Sequence, residues 1–354
     1  MKKNVDLEVS DIMKVHNNFQ QYEHVQSMLI CGSNEKMEYT LSIVIPTYNR
    51  VETLRDTVQR CLNQKGLYDY DIVVVDNNPD RDDDTERYIT ELNSPIVKYY
   101  KNAENIGMTG NWNRCVELCD GKYAILLHDD DLLPPDYLLN IFDVLKKYHD
   151  VDIIYVGKRI WHQDCGERPP MLVTNNKRYP LYKLSLINCL LPRNIVPTGM
   201  MLKKNSFCLL GGFDERCYPS ADFWFCSYAV VNGLNAFYYA KPLVTYRYFM
   251  NESLKEDTRL GFVLVTYPLR KWLLDNINLP SFIRRWLMLI MNNIGLGYCK
   301  RETLINAAIN DIPHSTLLLS KYESVRKMFA LLHKIIMGVI KRYLYRPSVA
   351  IKKL

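Results

Sequence analysis

Two textures of apolar residue alternate along the middle of the chain. Short runs that are apolar at nearly every position (Leu41 to Pro46, Asp71 to Asp76, Val97 to Tyr100, Tyr123 to Leu127) are separated by segments in which apolar residues recur every three or four positions. The runs suit strands covered on both faces and the longer period suits helices, so the alternation predicts a parallel sheet wrapped by helices. Helices are expected at 51–64, 82–92, 109–119 and 135–147, the last introduced by Pro134-Pro135. Further on, strands at Ile153 to Val156 and Gly199 to Leu202, a Gly211-Gly212 turn, a helix from Ala221 to Asn232 and a strand pair around Phe237 to Phe249 complete a central unit.

The ends of the chain read differently. Residues 1–38 are polar, with Ile12, Val15, Phe19, Tyr22, Val25 and Leu29 at near-helical spacing, and are expected to form an N-terminal helical extension. Residues 39–255 make the central domain, and 256–354 a helical C-terminal region. Its tail, 323–346, sets Val325, Met328, Phe329, Leu332, Ile335, Ile336, Val339, Ile340 and Tyr343 on one helical face against Arg326, Lys327, Lys334, Lys341 and Arg342. Such a helix either packs on a core or lies in the headgroups of an anionic bilayer, and the second is the expectation taken here.

Composition narrows the class. With 354 residues, 48% apolar and 24% charged, the chain can bury a full core. A net charge of +6 is too small to announce a nucleic-acid partner. Ten cysteines at irregular spacings, no CxxC pair and no apolar run in residues 1–30 point to reduced thiols in the cytoplasm. No stretch reaches the roughly 18 to 20 apolar residues of a membrane span, so any membrane contact is expected to be peripheral, on the inner face.

In parallel sheets ligands bind beyond the carboxyl ends of the strands, and there this sequence is polar. Pro46-Thr47-Tyr48-Asn49 and Asp76-Asn77-Asn78 could bind a nucleotide through amide, carboxylate and ring contacts, or could be ordinary turns. His128-Asp129-Asp130-Asp131 crowds three carboxylates, a repulsion that a divalent cation relieves; a solvated turn ahead of a helix is the plainer alternative. Asp82-Asp83-Asp84 lies in a polar segment and is read as surface. Asp222, at the start of a helix, is either a cap or a general base.

Taken together, Leu41-Ser-Ile-Val-Ile-Pro-Thr-Tyr-Asn-Arg50, Val73-Val-Val-Asp76, Asn105-Ile-Gly107 with Asn113, Gly121 through Asp131, Gly211-Gly-Phe-Asp-Glu215 and Asp222 resemble the family 2 glycosyltransferases in order and spacing over residues 41–253. The resemblance implies an α/β chain with the GT-A nucleotide-diphospho-sugar transferase fold, a Rossmann-like mixed sheet, with a helical C-terminal appendage. It places Pro46, Thr47, Tyr48, Asn49, Asp76, Asn105, Gly107, Asn113 and Asp129 at the nucleotide sugar. Asp130 and Asp131 become ligands of Mg²⁺ or Mn²⁺, and Asp222 the catalytic base.

Three departures stand out. Asn77 replaces a second acid after the second strand; His128 occupies the first acidic position of the DxDD pattern unless Asp129 does; and Phe249 stands where a His often follows Arg247 by two residues. The resemblance implies an inverting, non-processive transfer from a nucleotide-sugar donor, a UDP-sugar by preference, to a hydroxyl of a glycan or lipid-linked glycan, in surface polysaccharide synthesis. A catalytically degenerate sugar- or lipid-binding scaffold and a nucleotidyltransferase are the rival readings.

Overall fold

The computed structural model describes residues 9–66, 68–163, 178–190, 195–248, 252–277 and 280–288. After a short α1 (Val9–Ile12), the elements run β1 (Ser27–Cys31), β2 (Leu41–Thr47), α2 (Val51–Leu62), β3 (Tyr70–Asp76), α3 (Asp84–Leu92), β4 (Val97–Asn102), α4 (Gly107–Leu118), β5 (Tyr123–Leu126) and α5 (Tyr137–Lys147). The second half adds β6 (Ile153–His162), β7 (Leu181–Lys183), α6 (Leu186–Leu190), β8 (Met200–Lys203), α7 (Lys204–Leu209), α8 (Ala221–Val231), β9 (Ala236–Tyr248) and α9 (Glu256–Asn276).

The strands form one sheet in the order β1-β4-β3-β2-β5-β8-β6-β9-β7. Strands β4, β3, β2 and β5 are mutually parallel, as the apolar runs predict, and β8 turns the sheet antiparallel at the far side of β5. Strand β2 is buried along its whole length. Its Val44 joins a core on one face with Val73, Val75 and Trp112, whereas Ile43 and Ile45 join the core on the other face with Leu54 and Val58 of α2. That double cover is why the run carries no polar alternation.

The N-terminal extension departs from expectation. Residues 27–31 are an edge strand antiparallel to β4, with Ser27 opposite Asn102. An unpaired strand edge offers a row of backbone groups that an isolated amphipathic helix cannot match. The buried Arg114 guanidinium also donates to the carbonyls of Tyr22, at 2.7 Å, and Val25, at 2.8 Å, and so draws this segment out along the sheet. The strand pair expected around 237–249 is a single strand, β9, paired in parallel with β6 and shifted in register at Gly157. A Cβ at Gly157 would sit 2.8 Å from the carbonyl oxygens of Ala240 and Lys241, so the bulge needs a glycine.

Helix α9, the start of the expected helical C-terminal region, shares the core of the sheet. Leu269, Leu273 and Leu274 are fully buried, and the Trp224 indole of α8 donates to the Val265 carbonyl at 3.1 Å. No helix among the described residues is long and apolar enough to cross a membrane. The basic amphipathic tail at 323–346 and Phe249 lie outside the described residues.

Candidate active site

Strands β2 and β3 end level, Thr47 facing Asp76, and β5 stops three residues earlier, Leu126 facing Val44, so the polar residues that follow all three gather at one edge of the sheet. They border a cleft of about 600 Å³. Pro46, Thr47, Tyr48, Asn105, Gly107, Asp129 and Asp130 line it, and Asp222 enters it from the first turn of α8. The remaining expected residues lie elsewhere.

Asp76 is fully buried and saturated. One carboxylate oxygen accepts the Asn78 amide at 2.9 Å; the other accepts the Tyr99 hydroxyl at 2.7 Å and the Lys101 ammonium at 3.1 Å. Its neighbour Asn77 lines the cleft instead. Lys101 also pairs with Asp83 at 2.6 Å, and Asp83 caps α3 through the Glu86 amide, so the middle of the 82–84 run is a structural acid and not plain surface. Asn113 bonds both backbone groups of Phe213 at 2.8 Å, pinning the Gly211-Gly212 turn onto α4. Asn49 takes a left-handed φ of 53° and turns outward.

The acidic segment after β5 is held from below. The Thr57 hydroxyl of α2 donates to the Asp129 and Asp131 carbonyls at 3.0 and 2.9 Å. The Asp129 carboxylate accepts the Thr47 hydroxyl at 2.8 Å, and Asp130 pairs with Arg50 at 2.9 Å. Asp131 is fully buried: one oxygen accepts the Arg247 amide at 2.8 Å, the other has no hydrogen-bond partner. His128 stacks on Trp112, ring centroids 5.1 Å apart, with its Nε2 buried and likewise unpartnered.

The electrostatics follow from burial. Burial, then the adjacent Asp130 carboxylate, raises Asp129, with Arg50 opposing; the same two causes raise Asp131 well above the ordinary carboxylate range. Burial pushes the His128 imidazole down to about 4. Ligand atoms of His128, Asp130 and Asp131 all lie within 4.8 Å of one another. Crowded carboxylates with orphaned buried atoms fit a divalent cation, which would compensate them together.

Asp222 is not the helix cap; Ser220 holds that position and makes no side-chain capping bond. Burial raises the Asp222 carboxyl from 3.8 to about 6, opposed in part by the amides of the first turn and by Lys158. A carboxylate so tuned can take a proton near neutral pH.

Arg50, Trp112, Tyr218, Tyr246, Thr258 and Phe262 also line the cleft, and none was singled out by sequence as a site residue. The only signal for Arg50 was its place next to the strand-end motif. Thr258 and Phe262 come from α9, and nothing local in their sequence marks them.

Known proteins resemble the chain in sequence and in fold. The model of the family described as glycosyl transferase family 2 matches residues 42–207. Abequosyltransferase RfbV of Salmonella typhimurium is 33% identical over 116 residues, covering 31% of this chain and 34% of that protein. The chain spans between 25% and 60% of the length of the first curated relatives it matches. Among solved structures, S. aureus TarS in complex with UDP-GlcNAc aligns with a TM-score of 0.56 at 16% identity, over 78% of this chain and 82% of that one. The mannosyltransferase PcManGT from Pyrobaculum calidifontis, in complex with GDP-Man and Mn²⁺, aligns with a TM-score of 0.50 at 15% identity, over 86% and 87%.

Proposed function

We propose, from the premise that residues 42–207 are a family 2 glycosyltransferase domain on a GT-A fold, that the chain transfers a sugar from a nucleoside-diphosphate donor to a hydroxyl of a glycan or lipid-linked glycan. The observation that carries this reading is the sharing of one cleft by a strand-end floor of Thr47, Tyr48, Asn77 and Asp129 and by the Asp222 carboxylate raised to about 6. The floor suits a nucleotide; the raised carboxylate suits an acceptor proton.

In this mechanism Tyr48 packs on the base while Asn77, Asn105 and Asp129 take its edge and the ribose hydroxyls. Asp130 and Asp131 would hold Mg²⁺ or Mn²⁺, which when bound supplies positive charge to the diphosphate. The donor complexes of the two structural neighbours, one of them with Mn²⁺, support that assignment. Arg50, 40% exposed beside Asp130, can turn to the same phosphates. Asp222 removes the acceptor hydroxyl proton, the freed oxygen bonds to the anomeric carbon, and the bond to the diphosphate oxygen breaks on the opposite side, inverting the configuration. Asp131, 0% exposed, acts from beneath the cleft and touches no substrate.

The basic tail supports a peripheral seat on an anionic membrane, suited to a lipid-linked acceptor in surface polysaccharide synthesis. The test is incubation of the chain with UDP-GlcNAc and GDP-mannose, with Mg²⁺ or Mn²⁺ and without. Slow release of nucleoside diphosphate and free sugar is expected; release of pyrophosphate would establish a nucleotidyltransferase, and no release from any nucleotide sugar a binding scaffold.

A further inference from the structure

We infer that His128 is a third protein ligand of the metal centre, beside Asp130 and Asp131, and that its nitrogen makes the centre prefer Mn²⁺ and Co²⁺ to Mg²⁺. The inference rests on the metal reading above and goes further in naming the donor set. Two buried polar atoms at this place have nothing to bond. Asp131, 0% exposed, leaves Oδ2 without a hydrogen-bond partner, and His128 leaves Nε2 in the same state. The imidazole nitrogen that approaches the acid is Nδ1, which stands 3.9 Å from Asp131 Oδ2, beyond hydrogen-bond reach but within the spacing of two donors on one ion. An unmet buried carboxylate oxygen costs on the order of 1–3 kcal/mol, and a cation held between Oδ2 and Nδ1 would meet it.

The imidazole is also held for the task. Its ring lies 24° from the plane of Trp112, and the His128 amide donates to the Thr198 hydroxyl at 3.3 Å, so ring and backbone are both fixed. Donors on one ion at about 2.1 Å lie roughly 3 to 4 Å from one another, and the spread here, within 4.8 Å, needs only a small contraction. Asp129 is not a member of this group: its carboxylate is engaged by Thr47 at 2.8 Å.

The chemical consequence is selectivity. Mg²⁺ takes oxygen donors and sheds water reluctantly, whereas an imidazole raises affinity for transition ions in the order Mn²⁺, then Co²⁺. An all-oxygen site would separate them less.

The test uses the full chain and Mn²⁺, alone and with UDP or GDP. Electron spin-echo modulation of bound Mn²⁺ should show coupling to ¹⁴N, and His128→Asp, with a cooperative melt confirming its fold, should bind Mn²⁺ without that coupling. The ratio of Mn²⁺ to Mg²⁺ affinity, by competition, should fall about tenfold or more in His128→Asp and in His128→Gln. Bound Mn²⁺ without nitrogen coupling in the wild type, or an unchanged ratio in folded variants, overturns the histidine assignment and leaves the Asp130 centre standing. If the wild-type chain binds Mn²⁺ in none of these conditions, the metal reading itself falls and the histidine with it.

Discussion

Replacing Asp222 by Asn should separate activity from stability in opposite directions. Burial raises this carboxyl from 3.8 to about 6 in the folded chain. A group whose folded value is raised binds its proton more tightly when folded, so as pH climbs from about 4 to about 6 the folded state loses stability relative to the unfolded one. At 1.36 kcal/mol per pH unit the full cost above pH 6 is about 3 kcal/mol, an upper bound because the unfolded chain is not a free peptide. Asn keeps the shape and an acceptor for the first-turn amides but carries no charge. Asp222→Asn should therefore be more stable than wild type at pH 8, by up to about 3 kcal/mol in urea titrations, with the gain vanishing by pH 4. Transfer should meanwhile drop by about 10²- to 10⁴-fold, with donor affinity unchanged. Wild-type kcat/KM should fall as pH drops through about 6. Wild-type turnover in the variant, or a stability difference that ignores pH, would refute the assignment of this carboxylate as a buried base.

Asp130→Ala should abolish metal-dependent donor binding, and equal donor affinity with and without chelator in the wild type would remove its role as a ligand. Asp76→Ala should lower stability by about 1–3 kcal/mol while leaving donor affinity intact, because Lys101 loses one of three acidic partners and the cleft loses nothing; a selective loss of nucleotide affinity would place Asp76 at the base after all. Phe262→Ala should raise the acceptor KM several-fold with the donor KM unchanged, since α9 adds this ring to the cleft wall; an unchanged acceptor KM would free α9 from acceptor binding. The full chain should sediment with anionic vesicles at low salt and a chain ending near residue 320 should not; two supernatants would make the tail a packing helix.

Local pattern was enough for the strand-helix alternation of residues 41–147 and for the acids after β5, because double burial and charge crowding write themselves into contiguous residues. It also marked Asp222 and the strand-end residues Thr47 and Tyr48, which line the cleft. What only the tertiary structure decided are the partners that come from elsewhere. Asp76 and Asn113 read as nucleotide contacts, yet Lys101 from the adjoining strand claims the first and Phe213, a hundred residues on, claims the second. Residues 27–31 end a segment whose apolar positions from Ile12 to Leu29 read as near-helical, but they meet an open strand edge, and hydrogen-bond pairing there outweighs weak helix propensity. Phe262 has no motif around it, and reaches the cleft because α9 is tied to α8 through Trp224. The orphaned atoms of His128 and Asp131 belong to the same class: a residue's composition and spacing announce that it can bond, and only packing determines whether anything is there to bond it.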